Sequence, residues 1–200
     1  MTNILLPDHL DVLVGSNFGK HLDFGFEQPD HTITSTSGSG TVSFDQNGVS
    51  VESDGSGDDA SIEHTRFNNA SPNVLFYWAW DELSTTTDTS GVAQVGGRST
   101  SDPLEGVGID CIEREVFCSG TTRSINIDPE RLMSVHCFVD NLDGVTYFFL
   151  QNRSEKEVIE VPESFATDIQ SRVAGVADGE HEVVVKEMGW THLWEVPISV

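Results

Sequence analysis

Val74-Leu75-Phe76-Tyr77-Trp78-Ala79-Trp80 is the stretch whose reading decides the fold. It is apolar at nearly every position and only as long as a strand. A strand with one wet face alternates apolar and polar residues, because successive side chains point to opposite sides. A continuous apolar run of this length reads instead as a central strand covered on both faces. Leu75, Tyr77 and Ala79 then point to one side, and Val74, Phe76, Trp78 and Trp80 to the other.

The flanking sequence supplies neighbours for such a strand. Phe44 to Val51 contains Asn47-Gly48 between β-prone residues, a hairpin signal because both tolerate positive φ. Asp54–Asp59 (DGSGDD) reads as a turn and Ala60–Phe67 as a strand. Downstream, Val92–Gly97, Val107–Phe117 and Arg123–Ile127 read as strands. Met133–Val139 and Val145–Gln151 flank Asn141-Leu142-Asp143-Gly144, a second hairpin. In Pro162–Gly175 the residues Phe165, Ile169 and Val173 recur at helical spacing, so this segment is predicted as one short helix. Glu182–Glu187 and Leu193–Ile198 close the chain as strands. Short strands separated by turn residues predict a mainly β, two-sheet antiparallel sandwich. Residues 41–200 form the sandwich domain, and residues 1–40 an N-terminal arm with a Ser/Thr/Gly linker over Thr32–Gly40.

Composition narrows the function. Lys+Arg is 10 against Asp+Glu 33, for a formal charge of -23. So many like charges destabilise a compact state in dilute buffer. At 1 M salt the screening length is roughly 3 Å, and the repulsion largely vanishes. The chain therefore reads as halophilic. Without clustered Lys and Arg it is not expected to bind nucleic acid. Without a run of roughly 20 apolar residues it is not expected to insert in a membrane. The N-terminus lacks the pattern of a secretory signal, so synthesis in a host cytoplasm is expected.

Three segments carry a resemblance. The aromatic strand Val74–Trp80, then Val107-Gly108-Ile109-Asp110, then the unit Val135–Asp140 with Gly144–Leu150, together resemble the concanavalin-like jelly roll of lectins, laminin-G modules and related glucanases. The organisation as acidic chain, N-terminal arm and polar linker also resembles virion proteins of haloarchaeal tailed viruses. That second resemblance implies a turret, spike or tail component on the virion surface. Its partners would be further copies of itself, as a homo-oligomer, and other capsid or tail proteins. A host surface glycan or S-layer would be its target. The arm would anchor it through Leu5, Leu6, Leu10 and Leu13. The alternative readings are a lectin-like carbohydrate-binding module of a halophile, or a degenerate glucanase-like domain.

Glu113 and Glu115 share a face if Val107–Phe117 is one strand. Glycosidases need two carboxylates about 5–10 Å apart around the scissile bond. The glucanase pattern E-x-D-x-E is broken here, since Cys111 replaces the first acid and Asp110 falls on the other face. No catalytic residues are assigned, and the protein is expected not to be an enzyme. No cofactor is expected. Asp54, Ser56 and Asp58 could offer oxygens to a structural Ca²⁺, against the plainer reading of a solvated turn. The lectin resemblance implies the same suspicion for Asp110, Asp140 and Asp143. Trp190 and Trp194 sit among polar residues and are candidates for stacking on a sugar or a neighbouring subunit. Cys111, Cys118 and Cys137 are expected as buried thiols, with Cys111–Cys118 or Cys111–Cys137 bridges open if those strands are neighbours. The two sequons, at Asn69 and Asn152, are of the number expected by chance.

Overall fold

The computed structural model describes residues 20–23, 32–64, 73–79, 92–98, 106–128, 132–164 and 171–193. Its strands are β1 (Lys20–Asp23), β2 (Thr32–Ser37), β3 (Thr41–Asp45), β4 (Gly48–His64), β5 (Asn73–Ala79), β6 (Val92–Arg98) and β7 (Gly106–Asp110). They continue as β8 (Glu115–Cys118), β9 (Thr121–Ser124), β10 (Leu132–Asp140), β11 (Val145–Asn152), β12 (Lys156–Val161), β13 (Ser171–Val185) and β14 (Glu187–Leu193). All pair antiparallel, in two sheets. A six-stranded sheet runs β1-β14-β5-β10-β11-β12. An eight-stranded sheet runs β2-β4-β13-β6-β7-β8-β9, with β3 also paired to β4.

The decisive run is β5, at the centre of the six-stranded sheet between β14 and β10. Phe76 and Trp78 enter the core between the sheets, their rings stacked at 5.4 Å. Leu75 and Tyr77 leave by the other face and pack with Phe138, Tyr147 and Phe149. Burial on both faces is thus why this strand has no polar alternation. Across the core, Val51, Ile62, Val95, Ile109 and Val183 line the eight-stranded sheet. On one side the sheets are tied by Glu157 of β12, whose carboxylate accepts the Asn126 and Ile127 N–H groups at 2.9 and 3.1 Å.

Both expected hairpins exist. Asp45 pairs with Gly48 around Gln46-Asn47, so the loop precedes the Asn-Gly signal by one residue. Asp140 and Val145 flank the second hairpin as expected.

Four local expectations fail, each to long-range pairing. Thr32–Ser37 is not linker but strand β2, paired along Asp59–His64. Asp54–Asp59 is not a turn. It lies within β4, which bulges there against β13 between Ala177 and Gly179. The predicted helix is overturned where it is described. Ser171–Gly175 belongs to β13, and cross-strand pairing with β4 and β6 outweighs the 3.6-residue spacing of its apolar residues. Phe165–Gln170 lie outside the described residues. Finally, Val107–Phe117 is two strands joined by a turn at Cys111–Arg114. Among the described residues no helix is long and apolar enough to cross a membrane.

Candidate functional site

The outer face of the eight-stranded sheet carries a row of polar side chains. In β6, β7 and β8 the residues Ala93, Val95, Val107, Ile109, Val116 and Cys118 face the core. Strict alternation sends Gln94, Gly96, Gly108, Asp110, Glu115 and Phe117 outward. The register then aligns Ser61, Gly175, Gln94, Asp110 and Glu115 in one row across β4, β13, β6, β7 and β8. Adjacent strands lie about 4.8 Å apart. Gly175 contributes no side chain, so the row is interrupted between Ser61 and Gln94.

A second row lies beside the first. Gly96, Gly108 and Phe117 are opposite one another. A methyl group at Gly96 would meet the Val107 carbonyl oxygen, and one at Gly108 would meet that of Val95. Both positions need glycine because the backbones approach closely. The Phe117 ring reaches to 3.0 Å from where a Gly108 Cβ would stand. Phe117 is 1 % exposed yet belongs to neither apolar cluster, so it is an aromatic ring on the outer, polar side.

Hydrogen bonds fix the polar row. Asp110 Oδ1 accepts from the N–H groups of Ile112 and Glu113, both at 3.0 Å. Its Oδ2 accepts from Gln94 Nε2 at 3.2 Å. Ser61 is 0 % exposed, and its hydroxyl has no partner among the described residues. A buried hydroxyl without a partner is costly, and marks where another polar group belongs.

This geometry corrects the carboxylate reading. Glu113 is in the turn and exposed, so it shares no strand face with Glu115. Asp110, expected on the opposite side, stands directly across from Glu115. The turn reverses the chain and brings them to the same face. Both Asp110 oxygens are held by the turn and by Gln94, which sets the residue to positioning.

The other candidates fall elsewhere. Asp54 is exposed and pairs in register with Glu180. Asp58 accepts a hydrogen bond from the Ser39 hydroxyl, and Gly38 lies against its carboxylate. Ser56 lies in the same bulge. Asp140 Oδ1 accepts from Leu142 and Asp143 N–H groups at 3.0 and 3.1 Å. Among the described residues no group of three or more His, Cys, Asp or Glu could hold a metal ion. Asp58 is bonded to Ser39 between β2 and β3, while Asp110 and Asp140 each hold backbone N–H groups of their own turns. Trp190 stands in register opposite Phe76 and Lys20, two positions from the buried Met188. Trp194, Leu5, Leu6, Leu10, Leu13 and Asn69 lie outside the described residues. Asn152 is buried, its Oδ1 holding the Ser154 and Glu155 N–H groups at 2.9 and 2.7 Å.

The three thiols are free and buried. Cys111 and Cys118 lie at opposite ends of the β7–β8 hairpin, and Cys137 is in the other sheet. Burial pushes all three thiols up, with the Asp110 charge adding to the effect at Cys111. Cys118 Sγ lies 3.3 Å from Thr146 Oγ1 across the core.

No protein-family model matches this chain, and no curated protein matches it. Solved structures do. The Lotus tetragonolobus seed lectin has a TM-score of 0.61 at 8 % identity, covering 89 % of this chain and 99 % of that one. The VIP36 exoplasmic/lumenal domain in its Ca²⁺/Man2-bound form has a TM-score of 0.54 at 10 % identity, covering 88 % and 90 %. The Emp46p carbohydrate recognition domain has a TM-score of 0.56 at 11 % identity, covering 87 % and 96 %. Together with the two antiparallel sheets, these likenesses establish the fold of this chain as a lectin-type, concanavalin-like jelly-roll sandwich.

Proposed function

We propose that this chain is a non-enzymatic carbohydrate-binding module whose ligand engages the outer face of the eight-stranded sheet at Glu115, the part-exposed end of the row that runs through Gln94 and Asp110 beside Phe117. The observation that carries this is the Ser61–Gln94–Asp110–Glu115 row beside an outward aromatic ring over glycines. A sugar presents hydroxyls on its edges and C–H groups on its faces. The row carries hydroxyl, amide and carboxylate groups suited to sugar edges; Glu115 is its part-exposed member, backed by the buried Ser61, Gln94, Asp110 and Phe117. Neighbours solved with mannose ligands support the class of ligand. The holding of both Asp110 oxygens supports a binding rather than a catalytic role. Display on a virion, expected from the organisation of the sequence, draws no support from these neighbours. The charge of -23 supports work at high ionic strength.

Titration calorimetry in molar salt with Man2 and a panel of neutral oligosaccharides tests the reading. Saturable binding is expected, weakened about fivefold to tenfold by Gln94→Ala, which removes one hydrogen-bonding side chain. Absence of binding across the panel, or binding unchanged in Gln94→Ala, contradicts it.

A further inference from the structure

No Asp, Glu, Lys or Arg occurs from Thr32 to Phe44, in a chain of formal charge -23. This stretch forms β2 and nearly all of β3. The two strands follow one another along the same side of β4, β2 against Asp59–His64 and β3 against Gly48–Glu52. They make one edge of the eight-stranded sheet. Thr34 to Ser39 are all exposed.

Sheet edges present unpaired N–H and C=O groups, and proteins blunt them with charges or prolines. The other edge strands carry charge: Lys20 and Asp23 in β1, Arg123 in β9, and Lys156, Glu157 and Glu160 in β12. β2 (TITSTS) carries neither charge nor proline. Two bodies this acidic repel one another. Among the described edge strands, they meet at least cost along β2, which bears no charge.

We propose that β2 pairs edge to edge with β2 of a second copy of this chain, antiparallel about a two-fold axis at Ser35. An axis normal to the sheet keeps outward residues outward, which requires residues of the same face to stand opposite. Ser35, in register with the outward Ser61, then meets the partner's Ser35. Thr34 meets the partner's Thr36, and both are in register with core-facing Ile62 and Ala60. Cross-strand Thr and Ser pairs are mutually favourable. The contact is self-complementary and closes at two chains. Both outer faces then look the same way. On the function proposed above, two sugar sites would be presented together and gain avidity. The dimer itself does not depend on that function.

Light scattering of the full chain, at the lowest NaCl concentration that keeps its folded circular dichroism, tests this. The wild type is expected at the mass of two chains. Ser35→Lys sets two like charges opposite each other at the axis and should raise the dissociation constant at least about fivefold. Ser35→Glu should do the same, each variant keeping the wild-type circular dichroism. An equimolar mixture of the two should return to the mass of two chains, since the charges are then complementary. A monomeric wild type, a Ser35→Lys dimer as tight as wild type, or a mixture that fails to reassociate would each overturn the proposal.

Discussion

The β7–β8 and β10–β11 turns are built alike and serve different ends. Each opens with an aspartate whose Oδ1 accepts two backbone N–H groups, from Ile112 and Glu113 in one and Leu142 and Asp143 in the other. Each closes on a residue with positive φ, Arg114 at 57° and Gly144 at 71°. The differences lie around this shared frame. Asp110 is buried and also takes the Gln94 amide, which ties the turn into the polar row on the outer face. Asp140 is half-buried and serves its own turn. The same local device is thus structural in one sheet and joined to the candidate site in the other.

Removing the two aspartates should separate these roles most strongly. Asp110→Ala strands three donors around a buried position and should cost about 2–3 kcal/mol. Asp140→Ala strands two that water can reach, and should cost about 1 kcal/mol. Chemical denaturation of the two variants measures the gap. Equal losses would mean that the Gln94 contact contributes nothing.

The closing residues give smaller effects. Nothing stands within 4 Å of a Cβ at Gly144. Gly144→Ala should therefore cost about 1 kcal/mol from backbone strain alone. Arg114→Gly should act in the opposite direction, stabilising by about 0.5–1 kcal/mol. Its exposed pairing with Asp128, at 3.9 Å, offsets little of that gain. Thermal melts of both variants decide whether the two turns share a backbone geometry. A destabilised Arg114→Gly would deny it.

Near neutral pH the thiols should contribute no pH dependence. Folding holds Cys111, Cys118 and Cys137 protonated above their ordinary range, chiefly by burial. The folded chain therefore binds more protons than the unfolded chain once pH passes the ordinary thiol value near 9.0. Unfolding then releases protons, so stability falls as pH rises beyond that point. Cys111 stands at the start of the β7–β8 turn and is buried in the core, so its alkylation reports exposure of that end of the hairpin. Denaturant midpoints across the alkaline range, with thiol labelling, test this. Flat midpoints would show the thiols to be solvated.

What the sequence revealed follows the same contrast. The β10–β11 hairpin is legible because Asp143-Gly144 puts glycine where positive φ is needed. The β7–β8 turn is not, because Arg114 takes that conformation and the run reads as one strand. The error put Asp110 and Glu115 on opposite faces and hid the row. β5 was readable because both its faces are buried. β2 and the middle of β4 were not, because Ser, Gly and Asp signal turns and linkers locally, and the start of β13 was not, because Phe165, Ile169 and Val173 recur at helical spacing. Only pairing with distant strands makes these segments β. Phe117 falls between the two cases. Its aromatic character was visible, but its outward direction depends on the register that the hidden turn sets.

On the proposed function, saccharide lies on the outer face of the eight-stranded sheet. Amide shift mapping during a Man2 titration of the full chain in molar salt tests it most directly. Saturable shifts are expected at Gln94, Gly96, Gly108, Asp110, Glu115 and Phe117, with Asp140–Gly144 unmoved. Shifts centred on Asp140–Gly144 or on the Tyr77, Phe138 and Tyr147 face of the six-stranded sheet would contradict it.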